Sequence, residues 1–210
     1  MQDALAEVFA ARLRPLPFLD ALRVPGLVRP YEWDAKIDQG VERHRAPVPA
    51  KLPEAICDKS VEFLRPRENR KGLVIFEDGG VVDGPRPGAN YPAPRVATLT
   101  LRAWVNQAKA AEPLTDGELM QAVRQALLAN NGQTAGSFGA LRVKLQELPA
   151  DARLWTPYSG YDGPLLYPPY QLLGLVLTCT YYPVRCQQPT ESLSVVVLNQ
   201  LVGGLLLSAA

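Results

Sequence analysis

Apolar positions recur along this chain with two different spacings, and the changes of spacing mark its elements. Leu5, Val8, Phe9 and Leu13 fall three and four residues apart, which predicts an opening helix with Asp3 and Glu7 toward the positive end of its dipole. Pro15 and Pro17 stop that helix. Residues 18–29 predict a short helical turn and then an extended piece around Val24 and Val28. Across 30–71 no period holds for long. Pro47, Pro49, Pro53 and Pro66 alternate with charges there, so the stretch predicts a long proline-rich loop or a set of short pieces, of the kind often used for binding. The run Leu73-Val74-Ile75-Phe76-Glu77 predicts a strand, Asp78-Gly79-Gly80 a tight turn, and Val81-Val82 the return. Pro85, Pro87, Pro92 and Pro94 then form another stiff loop.

The clearest strand covers 95–105. Leu99, Leu101, Ala103 and Val105 fall on a core face; Thr98, Thr100, Arg102 and Trp104 fall on a face for solvent or a partner. The second helix is announced by Thr115 and Glu118, spaced as a capping box, with Leu119, Val123, Ala126 and Leu127 as its apolar stripe and Asn130-Asn131-Gly132 as a left-handed stop. Leu141, Val143 and Leu145 alternate with Arg142, Lys144 and Gln146, the pattern of a half-buried strand. Residues 150–169 form an aromatic, proline-bearing loop. Residues 170–182 predict a long strand, apolar on both faces in its first half as a central strand is. The order predicts an α+β fold: a mostly antiparallel sheet of about four to six strands with two main helices packed on it and long proline-rich loops. Residues 1–189 are expected as one domain, and 190–210 as an apolar tail serving either as a core strand or as an arm between subunits.

Composition sharpens this in a few places. Among 210 residues there are 20 prolines, about twice the usual share, so many connections are extended and stiff. Charged residues are 20%, below the usual quarter, which leaves more surface apolar or covered by partners. A net charge of +1 removes any global attraction to nucleic acid or anionic lipid. Cys57, Cys179 and Cys186 are odd in number and lack C-x-x-C spacing, with His44 the one histidine to join them, so they are expected as small buried apolar residues rather than as a disulfide or zinc framework. Acids in the first fifteen residues argue against a signal peptide. Ser194, Asn199, Gln200 and the Gly203-Gly204 pair interrupt the last apolar stretch before it reaches a membrane-spanning length. A soluble protein without a membrane partner is expected.

Chemistry has few places to sit. Every Ser/His/Asp or Cys/His arrangement depends on His44, which lies between Arg43 and Arg45 and is expected as a solvated loop histidine. Neither phosphate-loop motif occurs, and no cofactor, metal site or catalytic residue is expected. The alternative of a different class, a small metal-dependent hydrolase or nuclease, requires Glu32, Asp34, Asp58 and Asp78 to converge on one pocket. A nucleic-acid-binding module requires Arg65, Arg67, Arg70 and Lys71 to share a face with Arg43 and Arg45, although Glu62 and Glu68 dilute that field and no aromatic residues are interleaved.

The opening helix, the Val24-Pro25-Gly26 stretch, the predicted hairpin around Ile75-Phe76, the strand "VATLTLRAWV", the helix "ELMQAVRQALL" and the late strand "LLGLVLTCTYYP" together resemble the tail terminator proteins (tail completion or minor tail proteins) that cap tailed-bacteriophage tail tubes at the neck. The likeness lies in element order and texture over most of the chain. The proline-rich 30–70 region and the stretch after Pro189 exceed the usual length, and the same texture suits other neck proteins such as head-completion proteins. Baseplate, sheath-associated and capsid-decorating proteins are the structural alternatives. The resemblance implies a non-catalytic virion protein that assembles in the host cytoplasm into a ring, hexameric in that family. Such a ring caps the tube, docks the head connector, and meets DNA only as cargo passing through its lumen. The contact residues expected for it are Arg65, Arg67, Arg70 and Lys71 in the basic loop, and Trp155, Tyr158, Tyr161 and Tyr167 in the aromatic loop. Leu193, Val195, Val196, Val197 and Leu198 complete the set as a segment suited to strand addition on a neighbour.

Overall fold

The computed structural model describes residues 2–37, 40–51, 64–89, 92–110, 112–135, 137–158 and 163–183. Among them the fold is α+β, with two α-helices and six antiparallel strands in a four-stranded and a two-stranded sheet. Helix α1 is Gln2–Leu13. Strands β1 (Val28–Ile37) and β2 (Gly40–Pro49) form the two-stranded ribbon. Strands β3 (Gly72–Asp83) and β4 (Arg95–Asn106), helix α2 (Asp116–Leu128), and strands β5 (Phe138–Leu148) and β6 (Tyr170–Pro183) complete the elements, and the main sheet runs in the order β3-β4-β6-β5.

The two central strands pair from Arg95↔Tyr181 to Asn106↔Tyr170, and this register decides both faces of the sheet. On one face Ala97, Leu99, Leu101 and Ala103 stand beside Cys179, Leu177, Leu175 and Leu173, all buried under α1 and α2. Helix α1 supplies Leu5, Phe9 and Leu13, and α2 supplies Leu119, Val123 and Leu127. Each such side chain contributes about 1.5–3 kcal/mol on burial. Arg12 fastens the two helices by donating from Nη1 to the Leu127 carbonyl at 2.9 Å, an acceptor left over at the end of α2.

Helix α2 begins as its sequence requires. Thr115 Oγ1 accepts from the Glu118 N–H at 3.3 Å, and Glu118 Oε2 accepts from the Thr115 N–H at 2.8 Å. Those bonds hold the Glu118 carboxyl below the ordinary carboxylate range. Its favourable share of the cap is therefore present above the unfolded-state pKa and lost as pH falls through the folded one. We expect Thr115→Ala to cost about 1 kcal/mol. Thermal melts at neutral pH should show this as a drop of about 3 °C. At the other end Asn130 (φ 57°) and Gly132 (φ 84°) take the left-handed turn that the Asn-Asn-Gly run predicts.

Two expectations about strands are corrected. Asp78-Gly79-Gly80 is not a hairpin turn. Strand β3 continues through it, pairing Asp78 with Leu99 and then Val81 with Ala97 across a bulge. A side chain at Gly79 would lie 3.0 Å from Thr98 Cγ2, so the strand bulges where its backbone approaches β4 closely. The second correction is that residues 30–37 and 40–49 are not loop but belong to the β1–β2 ribbon. Its prolines sit where a two-stranded ribbon tolerates them: Pro30 faces Pro47, and Val28 faces Pro49, near its base. Every strand of such a ribbon is an edge, so a missing N–H on the outer side costs no ladder bond.

Candidate contact surface

The second face of the sheet carries its own core at one end only. The connection between β5 and β6 folds back under the sheet. It lays Leu154, Trp155, Tyr158 and Leu166 against Leu73, Ile75, Trp104 and Leu172. Trp104 is fully buried there, donating from Nε1 to the Leu165 carbonyl at 2.6 Å and stacking on Tyr170 at 5.1 Å. Its position on the polar face of β4 is thus a second core and not a solvent or partner face. Gly174 lies directly under this connection, where an added Cβ would come within 2.6 Å of Leu154 Cδ1 and 3.0 Å of Leu148 Cβ.

A polar clamp closes the edge of that core. Glu77 on β3 accepts from Arg102 Nε at 2.9 Å and from the Tyr158 hydroxyl, and Arg102 also donates to the Leu154 carbonyl. The Glu77 and Arg102 side chains are only 22% and 14% exposed, so water screens the pair weakly. Burial, and secondarily the Glu77 charge, pushes the Tyr158 hydroxyl well above the ordinary tyrosine range. Arg45 of the ribbon lies 6.0 Å from the Tyr158 ring centre, so ribbon, sheet and connection meet at this point.

Among the described residues no second buried cluster covers the face beyond the clamp. Thr98, Thr100, Thr178 and Thr180 run along the two central strands, with Arg142, Lys144 and Gln146 exposed beside them on β5. The β5 edge itself is half closed. Leu141 exchanges backbone hydrogen bonds with 132–133, its N–H donating to the Gln133 carbonyl at 3.0 Å and its carbonyl accepting from the Gly132 N–H at 2.7 Å. The Asn131 side chain then imitates a strand residue: Oδ1 accepts from the Val143 N–H at 2.8 Å and Nδ2 donates to the Val143 carbonyl at 3.2 Å. Alternation makes Leu145 and Glu147 the next outward-pointing residues. Among the described residues no hydrogen bond meets their outward backbone groups. Alongside them runs a groove of about 890 Å³ walled by α2, with Met120, Leu128 and Ala129 as its apolar part and the Arg124–Glu147 ion pair (2.5 Å) in its wall.

The ribbon stands at the opposite edge of the sheet. It is joined to β3 by the Leu27–Phe76 bridge and by the Phe76 N–H donating to the Gly26 carbonyl at 3.3 Å. Its two faces differ. On one, Glu32 and Asp34 pair with Arg45 and Arg43 at 3.7 and 3.4 Å. On the other, Tyr31, Trp33 and His44 form a continuous stack with ring separations of 5.8 and 5.4 Å. His44 is therefore a stacked, half-buried ribbon residue and not a solvated loop histidine. This amphipathic ribbon is an element that sequence reasoning missed. Its signal lies in the alternation of Tyr31, Trp33 and Ala35 with Glu32, Asp34 and Lys36.

The predicted contact residues fare unequally. Trp155 and Tyr158 are corrected: they are 0% and 5% exposed and face their own sheet, because large aromatic surface is covered most readily by the core beneath it. Tyr167 is 60% exposed. Tyr161, Leu193, Val195, Val196, Val197 and Leu198 lie outside the described residues, as do Cys57, Cys186 and Asp58. In the basic loop Arg67 and Lys71 are exposed and Arg65 and Arg70 half-buried. The loop is pinned to the body by the Asn106 Nδ2 bond to the Glu68 carbonyl (2.9 Å) and the Lys71 N–H bond to Asp20 Oδ2 (3.1 Å). Arg67 and Arg70 share a cavity of about 410 Å³ with Asp20, Leu22 and Arg23, and Arg23 carries no signal of its own in the sequence. Arg43 and Arg45 do not line that cavity and carry acidic partners on the ribbon.

Glu32 and Asp34 lie on the ribbon, whereas Asp78 accepts from the Gly80 N–H at 2.7 Å on β3. Among the described residues no three of His, Cys, Asp and Glu come together, and no helix is long and apolar enough to cross a membrane. Cys179 is buried in the main core, which pushes its thiol up to about 12. No protein-family model, no curated protein and no solved structure matches this chain.

Proposed function

We propose that this protein acts through its contact surfaces as a structural component of a phage neck, forming a ring that caps the tail tube and docks the head connector. One observation carries the reading. The β1–β2 ribbon, 10 residues a side, is anchored at its base and carries an ordered aromatic stack on one face. Tyr31 and Trp33 are half-buried against Ala46 and Val48, and the part of that face still exposed gains stability when a neighbouring molecule covers it. Stiff proline-bearing segments lose little entropy on docking, which favours the same use. The function is binding alone: occupy the growing end of the tube, then present a new face. The resemblance in element order to tail terminators supports this choice among assembly proteins. The test is to add the purified protein to polymerising tail-tube subunits. The expected result is electron micrographs of shorter tubes bearing extra density at one end; unchanged tube length with bare ends would overturn the reading.

A further inference from the structure

The two ends of the main sheet carry complementary chemistry, and we infer that the proline-rich loop after β3 of one copy docks into an aromatic groove at the far end of the next. This inference deepens the neck reading and rests on it only for the claim that copies assemble. The groove, of about 570 Å³, lies where β4 ends and β6 begins, beside the Asn106↔Tyr170 pair. Tyr167, Tyr170, Pro113, Pro168 and Pro169 wall it. Two glutamines hold one wall in place: Gln171 Nε2 donates to the Leu114 carbonyl at 3.3 Å, and Gln107 Oε1 accepts from the Leu114 N–H at 3.0 Å. Among the described residues neither the Tyr167 nor the Tyr170 hydroxyl is hydrogen-bonded, so both can donate to the carbonyls of a docked chain. Aromatic rings with such donors receive polyproline segments, whose backbone is preset and makes no hydrogen bonds of its own.

A segment of that kind stands on the same chain. Pro85, Arg86 and Pro87 are all exposed on the loop that joins β3 to β4. The loop is drawn shut at its neck, where the Gly84 N–H donates to the Pro94 carbonyl at 2.7 Å. Its prolines and closed neck leave little entropy to lose on docking. Charge selects the pairing. Asp116 lines the groove, Arg86 lies on the loop, and both are exposed. Among the described residues neither takes part in an ion pair. The groove's Asp151 is already held by Arg153 at 2.7 Å, and Asp83 at the loop's neck by Arg95 at 3.0 Å. Arg86 and Asp116 are left to meet each other. The occupant must be a second copy. Loop and groove stand at opposite ends of β4, which from Arg95 to Asn106 spans about 36 Å. Residues 84–94, pinned at the neck, reach at most about 20 Å. A contact that uses different surfaces on the two molecules is heterologous, and rotation closes such contacts into a ring.

The experiment is charge exchange in the full-length protein, read by sedimentation. Arg86→Glu and Asp116→Lys, each alone, should self-associate at least about 10-fold more weakly than the wild type, because like charges then face each other across the joint. The two substitutions together in one chain should restore association, since opposite charges meet again in every contact. Tyr167→Ala, which removes an aromatic wall of the groove, should weaken association about 30-fold. Circular dichroism spectra matching the wild type exclude unfolding as the cause. The inference is overturned if any of the three single variants assembles like the wild type, as it would were the groove made for another protein. It is equally overturned if the double variant stays as weak as the single ones, or if the wild type remains monomeric. A ring that obeys this pattern but leaves tube ends bare keeps the inference and removes the neck reading. Capping by a protein indifferent to the exchange does the reverse.

Discussion

Trp155→Ala should be among the most damaging single substitutions in this chain, costing about 3–5 kcal/mol. The indole is fully buried between the connection that carries it and the second face of the sheet, beside Leu154, Leu166 and Trp104. Its removal leaves a cavity that the connection fills poorly, because its neighbours are tied in place: Trp104 donates to the Leu165 carbonyl, and Arg102 to that of Leu154. A urea titration followed by circular dichroism should show a lower midpoint at an unchanged slope. Tyr167→Ala, with its ring 60% exposed, serves as the control and should change stability by less than about 0.5 kcal/mol. Equal effects from the two would mean that Trp155 is not a core residue.

Glu77→Ala should cost about 2–4 kcal/mol, less than complete burial of the ion pair would give, since a fifth of the Glu77 side chain still meets water. The loss leaves the Arg102 guanidinium, 14% exposed, without its carboxylate and removes the bond that the Tyr158 hydroxyl donates to Glu77. Replacing both charges, as in Glu77→Leu with Arg102→Met, should recover most of the stability, which separates a desolvated pair from simple loss of packing.

The same clamp gives a pH dependence of definite sign. Tyr158 has a raised pKa in the folded state, so the unfolded chain loses that proton first. Its contribution is complete below the unfolded tyrosine value of about 10 and is lost as pH climbs beyond it. Chemical denaturation at pH 9 and pH 11 should show the wild type losing more stability than Tyr158→Phe. Equal losses in the two would contradict the assignment.

Elements whose residues obey one period over their whole length are legible in the amino-acid sequence. Thr115 with Glu118 announces α2. The alternation from Leu99 to Val105 announces β4, and the two-faced apolar run announces β6 as a central strand; the pairings of β6 with β4 and β5 place it there. The ribbon is not legible in this way, because Pro30, Pro47 and Pro49 look like breakers until their positions in a strand pair are known. The bulge in β3 escapes for a related reason: Asp-Gly-Gly suits a turn and a bulge alike, and only the register with β4 tells them apart. Trp104 and Trp155 escape because periodicity shows that a face exists, not what lies on it. The half-closed β5 edge depends on backbone bonds between 132–133 and Leu141 and on the Asn131 side chain reaching Val143, and no local pattern encodes either.

The mass of the purified protein in solution, by light scattering over a wide concentration range, tests the central claim most directly. The proposed ring predicts one species of fixed mass, an integral multiple of 23.0 kDa, that neither grows into filaments nor falls apart on modest dilution. A particle of 23.0 kDa at every concentration would contradict it.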